Sequence, residues 1–239
     1  MIQRILSIQD NLKPGKVLIL YGARQVGKTT LVKEFLEETS LKYRYDTGDN
    51  FQIRDQLSQC TYQSTRDHVS NYELIVIDEA QKIPNIGNAL KLMVDMNPEL
   101  YIIVTGSSSF ELANMTDESL TGRKKVYQLY PISQLELSRI YAPSELKNSL
   151  EESLVYGSYP EIVTEDLRQD KINQIREITF SYLIKDILEF DKIRNSEKIY
   201  KLLQLLAFQI GSEVSANELA GNIGLDVKTI QRYLDLLEK

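Results

Sequence analysis

The chain is 239 residues long, with 42% hydrophobic and 26% charged residues and a formal net charge of −6. That length holds one large α/β domain, or one such domain plus a small helical one. The acidic balance argues against a chain built to coat nucleic acid or an anionic membrane, and the single cysteine, Cys60, excludes an intrachain disulfide.

The opening MIQRILSIQDN lacks the apolar core of a signal peptide, and no apolar run approaches the ~20 residues of a membrane helix, so a cytoplasmic protein is expected. KVLILY (16–21) is a short apolar run ending at Gly22 and reads as a buried strand. Residues 22–29, GARQVGKT, match G-x-x-x-x-G-K-[ST], after which Leu31, Val32, Phe35 and Leu36 recur at helical spacing. A glycine-rich turn between strand and helix suits phosphate. Gly22 and Gly27 let the backbone turn its N–H groups inward, Lys28 brings a flexible charge to the β- and γ-phosphates, and Thr29 offers Mg²⁺ a hydroxyl. The predicted nucleotide contacts are therefore Gly22, Ala23, Arg24, Gln25, Val26, Gly27, Lys28, Thr29 and Thr30.

KYRYD (42–46) alternates as a strand does, and residues 50–70 read as helical. ELIVID (73–78) is another buried strand, with Asp78 and Glu79 at its C-terminal end, where ligands of open α/β sheets bind. Asp78 is expected to hold Mg²⁺ through water, and Glu79 to take a proton from an attacking water. NIGNALKLMVDM is helical, and LYIIVTG (100–106) is a strand that brings Thr105 and Ser107 to the same edge, placed to bond the water or the γ-phosphate. SLTGRKK (119–125) sets Arg123 before a fifth strand, KVYQLYP (125–131). An arginine can stabilise charge developing on a transferred phosphoryl group, and a solvated surface residue is the competing reading.

After Pro131 only helical periodicity is found, in ELKNSLEESLVY, in 168–190 and in SEKIYKLLQLLAFQI (196–210). Ser215 with Glu218 reads as a capping box, Gly221 to Gly224 as a turn, and a last amphipathic helix completes a helix-turn-helix outline. From Gly211 to Lys239 three basic residues face five acidic ones, which disfavours DNA contact. The predicted boundaries are 1–130, 131–195 and 196–239. His68, the only histidine, sits in a polar stretch and reads as a surface residue, and Cys60 as a partly buried structural thiol.

Taken together, YGARQVGKTTLVKEF, VIDEAQKIP, IIVTGSSSFEL, SLTGRKKVYQLYPIS, YGSYPEIV and QRYLDLLEK resemble the AAA+-like P-loop ATPases of bacteria and archaea. The resemblance implies an α/β fold: a P-loop NTPase parallel sheet flanked by helices, then an all-helical lid and a C-terminal, truncated winged-helix-like segment. It gives Thr105 or Ser107 the role called sensor 1. A Gly-x-Pro motif touches adenine in related signal-transduction ATPases, and GSYP makes Pro160 the matching residue. Gly122–Arg123 resembles the family's Gly-Arg motif, which implies a catalytic role for Arg123; since AAA+ relatives often complete a site with a neighbour's arginine, the alternatives are action in trans within a homo-oligomer, action in cis, or no role in the site. The chain stops at Lys239, before the wing and the further domain of unknown function that the resemblance implies. The expected activity is slow, Mg²⁺-dependent hydrolysis of ATP to ADP and phosphate by a nucleotide-dependent switch with an unidentified protein partner. The rival is a nucleotide-gated binding module or DNA-associated regulator with little or no hydrolysis. A small-molecule kinase fits poorly, because kinase-like P-loop proteins usually lack a glutamate after the strand-end aspartate.

Overall fold

In the computed structural model, which describes residues 2–107, 120–179 and 196–238, the five expected strands form one parallel sheet. They are β1 (Val17–Tyr21), β2 (Tyr43–Thr47), β3 (Leu74–Asp78), β4 (Tyr101–Gly106) and β5 (Lys124–Gln128), in the order β2-β3-β4-β1-β5. The three most apolar strands take the centre because helices cover both of their faces, and the two mixed strands take the edges, where part of the chain meets water.

Strand alternation divides the core. Leu18, Leu20, Leu74, Val76 and Ile103 pack toward α1 (Ile8–Asn11) and α2 (Lys28–Glu38). Val17, Ile19, Ile75, Ile77, Ile102 and Val104 pack toward α3 (Phe51–Ser58), α4 (Tyr62–Val69) and α5 (Ile86–Met96). The helical stretch at 50–70 is thus two helices, broken where Cys60 takes a left-handed φ of 50° and Thr61 caps α4. His68 corrects the surface reading: it is fully buried on the inner side of α4 with Thr65 and Val69, at the i, i+3, i+4 spacing of one helix face. Its Nε2 lies 3.0 Å from Asp46 Oδ2, which also accepts from Arg44 Nε at 2.7 Å.

The first compact unit, Met1–Glu165, runs past the boundary expected after residue 130 and includes α6 (Gln134–Leu137), α7 (Pro143–Asn148), α8 (Leu150–Tyr156) and α9 (Pro160–Thr164). Buried polar bonds fasten these residues to the sheet unit. Glu136 accepts from Arg4 Nε at 3.0 Å and from the Ile5 amide at 2.9 Å, and the Ile132 amide donates to Ser158 O at 2.7 Å. The second unit, Asp166–Lys239, contains α10 (Arg168–Glu177), α11 (Ser196–Phe208), α12 (Ala216–Ile223) and α13 (Val227–Glu238). Residues 180–190 of the long helical stretch lie outside the described residues. Ile199, Leu202, Leu219, Ile223, Ile230 and Tyr233 form the unit's own core. Gly221 lies inside α12, so the turn starts later than expected, at Gly224, whose φ of 70° makes it the left-handed cap. Among the described residues, no helix is long and apolar enough to cross a membrane.

Candidate functional site

A parallel sheet gathers the C-terminal ends of its strands at one edge, so Tyr21, Asp78 and Gly106 bring three loops together. At Gly22 the backbone leaves β1 against Leu129, and a Cβ at this position would collide with the Leu129 carbonyl oxygen. Gln25 and Gly27 are both left-handed, with φ of 62° and 95°, which curls the loop and turns successive N–H groups inward. Gly27 gives α2 no side-chain cap and the first turn holds no acidic residue, so the helix presents its N–H groups and positive dipole end to an anion. Lys28 is only 5% exposed and donates to Gly22 O at 2.9 Å and Ala23 O at 2.8 Å. Burial pushes its ammonium below the usual lysine range; the Glu79 and Asp78 charges oppose that shift without cancelling it, and Arg24 adds to it. Thr30 is exposed on α2, one residue beyond Thr29.

Asp78 is the centre of the second half of the site. Its Oδ2 accepts from Thr29 Oγ1 at 2.9 Å and from the Tyr45 hydroxyl at 2.8 Å, and its Oδ1 accepts from Thr105 Oγ1. The loop, β2, β3 and β4 therefore meet on one carboxylate. Burial, then the bond to Asp78, holds the Tyr45 phenol far above its usual range, so it stays protonated and donates. Thr105 is fully buried, with its proton committed to Asp78 and its oxygen accepting from the Glu79 amide at 3.2 Å. In this arrangement it braces the Asp78–Glu79 turn. Glu79 itself is left-handed, with φ 51° and ψ 42°, a conformation that costs a residue with a side chain about 1–3 kcal/mol and concentrates at functional sites. The Gly48 amide closes over this turn, donating to Asp78 O at 2.7 Å, and a Cβ on Gly48 would collide with the Glu79 carbonyl oxygen. Ser107 Oγ accepts from Gln81 Nε2 at 2.8 Å, and the same nitrogen donates to Glu79 Oε2 at 2.7 Å.

Pro160, at the start of α9, lies beside the loop, its Cγ 3.9 Å from where a Cβ on Gly27 would sit. Arg123 lies at the other end of the sheet. Its carbonyl accepts from the Val17 amide at 2.8 Å, at the N-terminal end of β1, so it stands one strand length, roughly 16 Å, from the loop that leaves the other end. Its Nε pairs with Asp95 Oδ1 at 3.0 Å.

Sequence reasoning gave no role to Tyr45, Gly48, Gln81, Arg4 or Glu136. Arg4 also donates from Nη1 to Val26 O at 3.1 Å, so the N-terminal segment props the loop directly. Only Ser133 with Glu136 carried a local signal, the S-x-x-E capping box that the structure contains.

The model of the AAA domain family matches residues 14–138. The chain belongs to that family. A second model, of a domain of unknown function, matches residues 147–239. Among curated proteins, an uncharacterised protein of Methanocaldococcus jannaschii is 23% identical over 95% of this chain and 56% of its own length. One of Mycobacterium tuberculosis is 26% identical over 92% of this chain and 47% of its own length, so the chain spans about half the length of these relatives. Among solved structures, a Walker-type ATPase of Pyrococcus abyssi is similar with a TM-score of 0.50 and 17% identity, over 92% of this chain and 84% of that one. Family and fold together give an AAA domain with the α/β fold of P-loop ATPases, followed by a C-terminal domain of unknown function.

Proposed function

We propose that this AAA-family chain binds ATP at residues 22–30 and hydrolyses it slowly to ADP and phosphate with Mg²⁺, as a nucleotide-dependent switch. The observation that carries the reading is the Thr29 Oγ1 to Asp78 Oδ2 bond of 2.9 Å, beside Glu79. It joins the phosphate loop to the strand-end carboxylate on which a metal and a base are needed. The Thr29 hydroxyl and the Asp78 carboxylate are hard oxygen donors of the kind Mg²⁺ takes. Mg²⁺ keeps several of its waters and is usually held by one or two protein groups together with substrate phosphates, so two such donors are enough. When bound there, the ion would neutralise charge on the phosphates. Lys28 would leave the Gly22 and Ala23 carbonyls for the phosphates, Glu79 would take the proton of the attacking water, Ser107 would report on the γ-phosphate, and Pro160 would lie against the base. Arg123 would serve only a neighbouring subunit's site, within a homo-oligomer, and the protein partner is left to the C-terminal unit.

The test pairs calorimetry with steady-state turnover, with and without DNA. Lys28→Ala is expected to lose ATP binding, and Glu79→Gln to keep binding and lose turnover, because an amide cannot accept the proton. Equal ATP affinity in wild type and Lys28→Ala would refute the site. Wild-type turnover in Glu79→Gln would refute the base, and binding without turnover in the wild type would favour the nucleotide-gated module.

A further inference from the structure

Gln81 lies in the short 3-10 turn Ala80–Lys82 that follows Glu79, and one nitrogen of its amide serves two acceptors, Glu79 Oε2 at 2.7 Å and Ser107 Oγ at 2.8 Å. The amide's orientation follows from chemistry: an ionised carboxylate only accepts, so the nitrogen must face Glu79. That choice turns Gln81 Oε1 the other way, where it is buried and has no hydrogen-bond partner among the described residues. Leaving a buried amide oxygen unpaired is unfavourable, and the two bonds made by the nitrogen are what this orientation gains.

The contacts have a direction. Glu79 follows the end of β3 and Ser107 follows the end of β4, and these strands are hydrogen-bonded neighbours. The Glu79 backbone is already fixed, by its left-handed turn and by its amide's bond to Thr105. The side chain retains its own rotations, and the bond from Gln81 restrains its carboxylate. Resting on the reading of Glu79 as the base, we propose that Gln81 is its positioning residue, holding the Glu79 carboxylate in register with the Ser107 hydroxyl so that the two act as one unit.

The test compares kcat, KM for ATP and ATP affinity in Gln81→Leu, Gln81→Met, Ser107→Ala and Gln81→Leu/Ser107→Ala, with Glu79→Gln as reference. Leu and Met keep the bulk and remove both the donor and the orphaned oxygen, so the two variants guard each other against a failure to fold. Misplacing a reacting group by about 1 Å costs on the order of 100-fold, so kcat is expected to fall about 10- to 100-fold while KM and ATP affinity stay within about 2-fold. The double variant is expected to be no slower than Gln81→Leu alone, since one chain of bonds is cut once. Unchanged kcat in both Gln81 variants beside an inactive Glu79→Gln would overturn the proposal and leave the base in place. Additive losses in the double variant would overturn the coupling to Ser107. Wild-type turnover in Glu79→Gln, or none in the wild type, would remove the base and this proposal with it.

Discussion

Replacing Arg4 by methionine keeps most of the side chain's length and removes its charge and its donors. In the structure Arg4 bonds Glu136 Oε1 through Nε, Val26 O through Nη1 and Tyr130 O through Nη2, and both members of the ion pair are under 10% exposed. Breaking a buried pair by deleting one partner typically costs about 3–5 kcal/mol. Glu136 would not be abandoned, because the Ile5 amide (2.9 Å), the Ser133 amide (2.8 Å) and Ser133 Oγ (3.0 Å) still donate to it. Those donors place the expected loss at the lower end, about 3 kcal/mol. At about 2–4 °C per kcal/mol for a unit of this size, Tm should fall by roughly 6–12 °C. Thermal unfolding followed by circular dichroism reads this directly, and Arg4→Lys should recover only part of it, since an ammonium cannot span three acceptors as a guanidinium fork does. A loss below about 1 kcal/mol would refute the reasoning, because it would mean that the pair behaves as a surface bridge.

Gly48→Ala should lower kcat more than ATP affinity, since the new Cβ would press on the Asp78–Glu79 turn, with Glu79 C 3.1 Å and Lys82 Cβ 3.2 Å away, and does not touch the phosphate loop; parallel turnover and calorimetry check it. Asp46 is held below the usual carboxylate range: burial raises it, and the bonds from His68 and Arg44 more than offset that. A depressed pKa contributes stability above the unfolded value of about 3.9 that is lost as pH falls through the folded value, so Asp46→Asn should flatten the decline below about pH 4 in urea titrations from pH 3 to 6. Arg123→Ala should cost under about 1 kcal/mol, as expected for an exposed pair, and mixing it with Lys28→Ala should restore turnover; no rescue would leave Arg123 as a surface partner of Asp95.

The glycine-lysine loop, the strand that ends in Asp78 and the parallel sheet were all legible, because each is written in a few adjacent residues. What the sequence could not supply was adjacency between segments. Tyr45 reaches Asp78 only because β2 pairs with β3 with Thr47 opposite Asp78, and Arg4 meets Glu136 across 132 positions of chain. Gln81 stood inside a motif already singled out, but its role depends on β4 lying next to β3 and bringing Ser107 within reach. His68 was misread for a different reason. Its neighbours are polar, but polarity averaged over a stretch hides a helix face, and Thr65, His68 and Val69 share one.

The strand order also carries a consequence for the order of assembly. β1, which ends in the phosphate loop, pairs with β4 and β5 and with no strand nearer in the chain, whereas β2 and β3 pair with each other. During synthesis β1 emerges first among the strands, but its first sheet partner does not exist until Tyr101–Gly106 has been made. The short-range β2–β3 pair closes the smaller loop, whereas β1 finds its two neighbours only after β4 and β5 have been made. The strand that leads into the Gly22–Thr29 loop is thus among the earliest made and among the later ones to be held in place. Until then, KVLILY is an unpaired apolar strand, the kind of segment that associates with other chains while it waits.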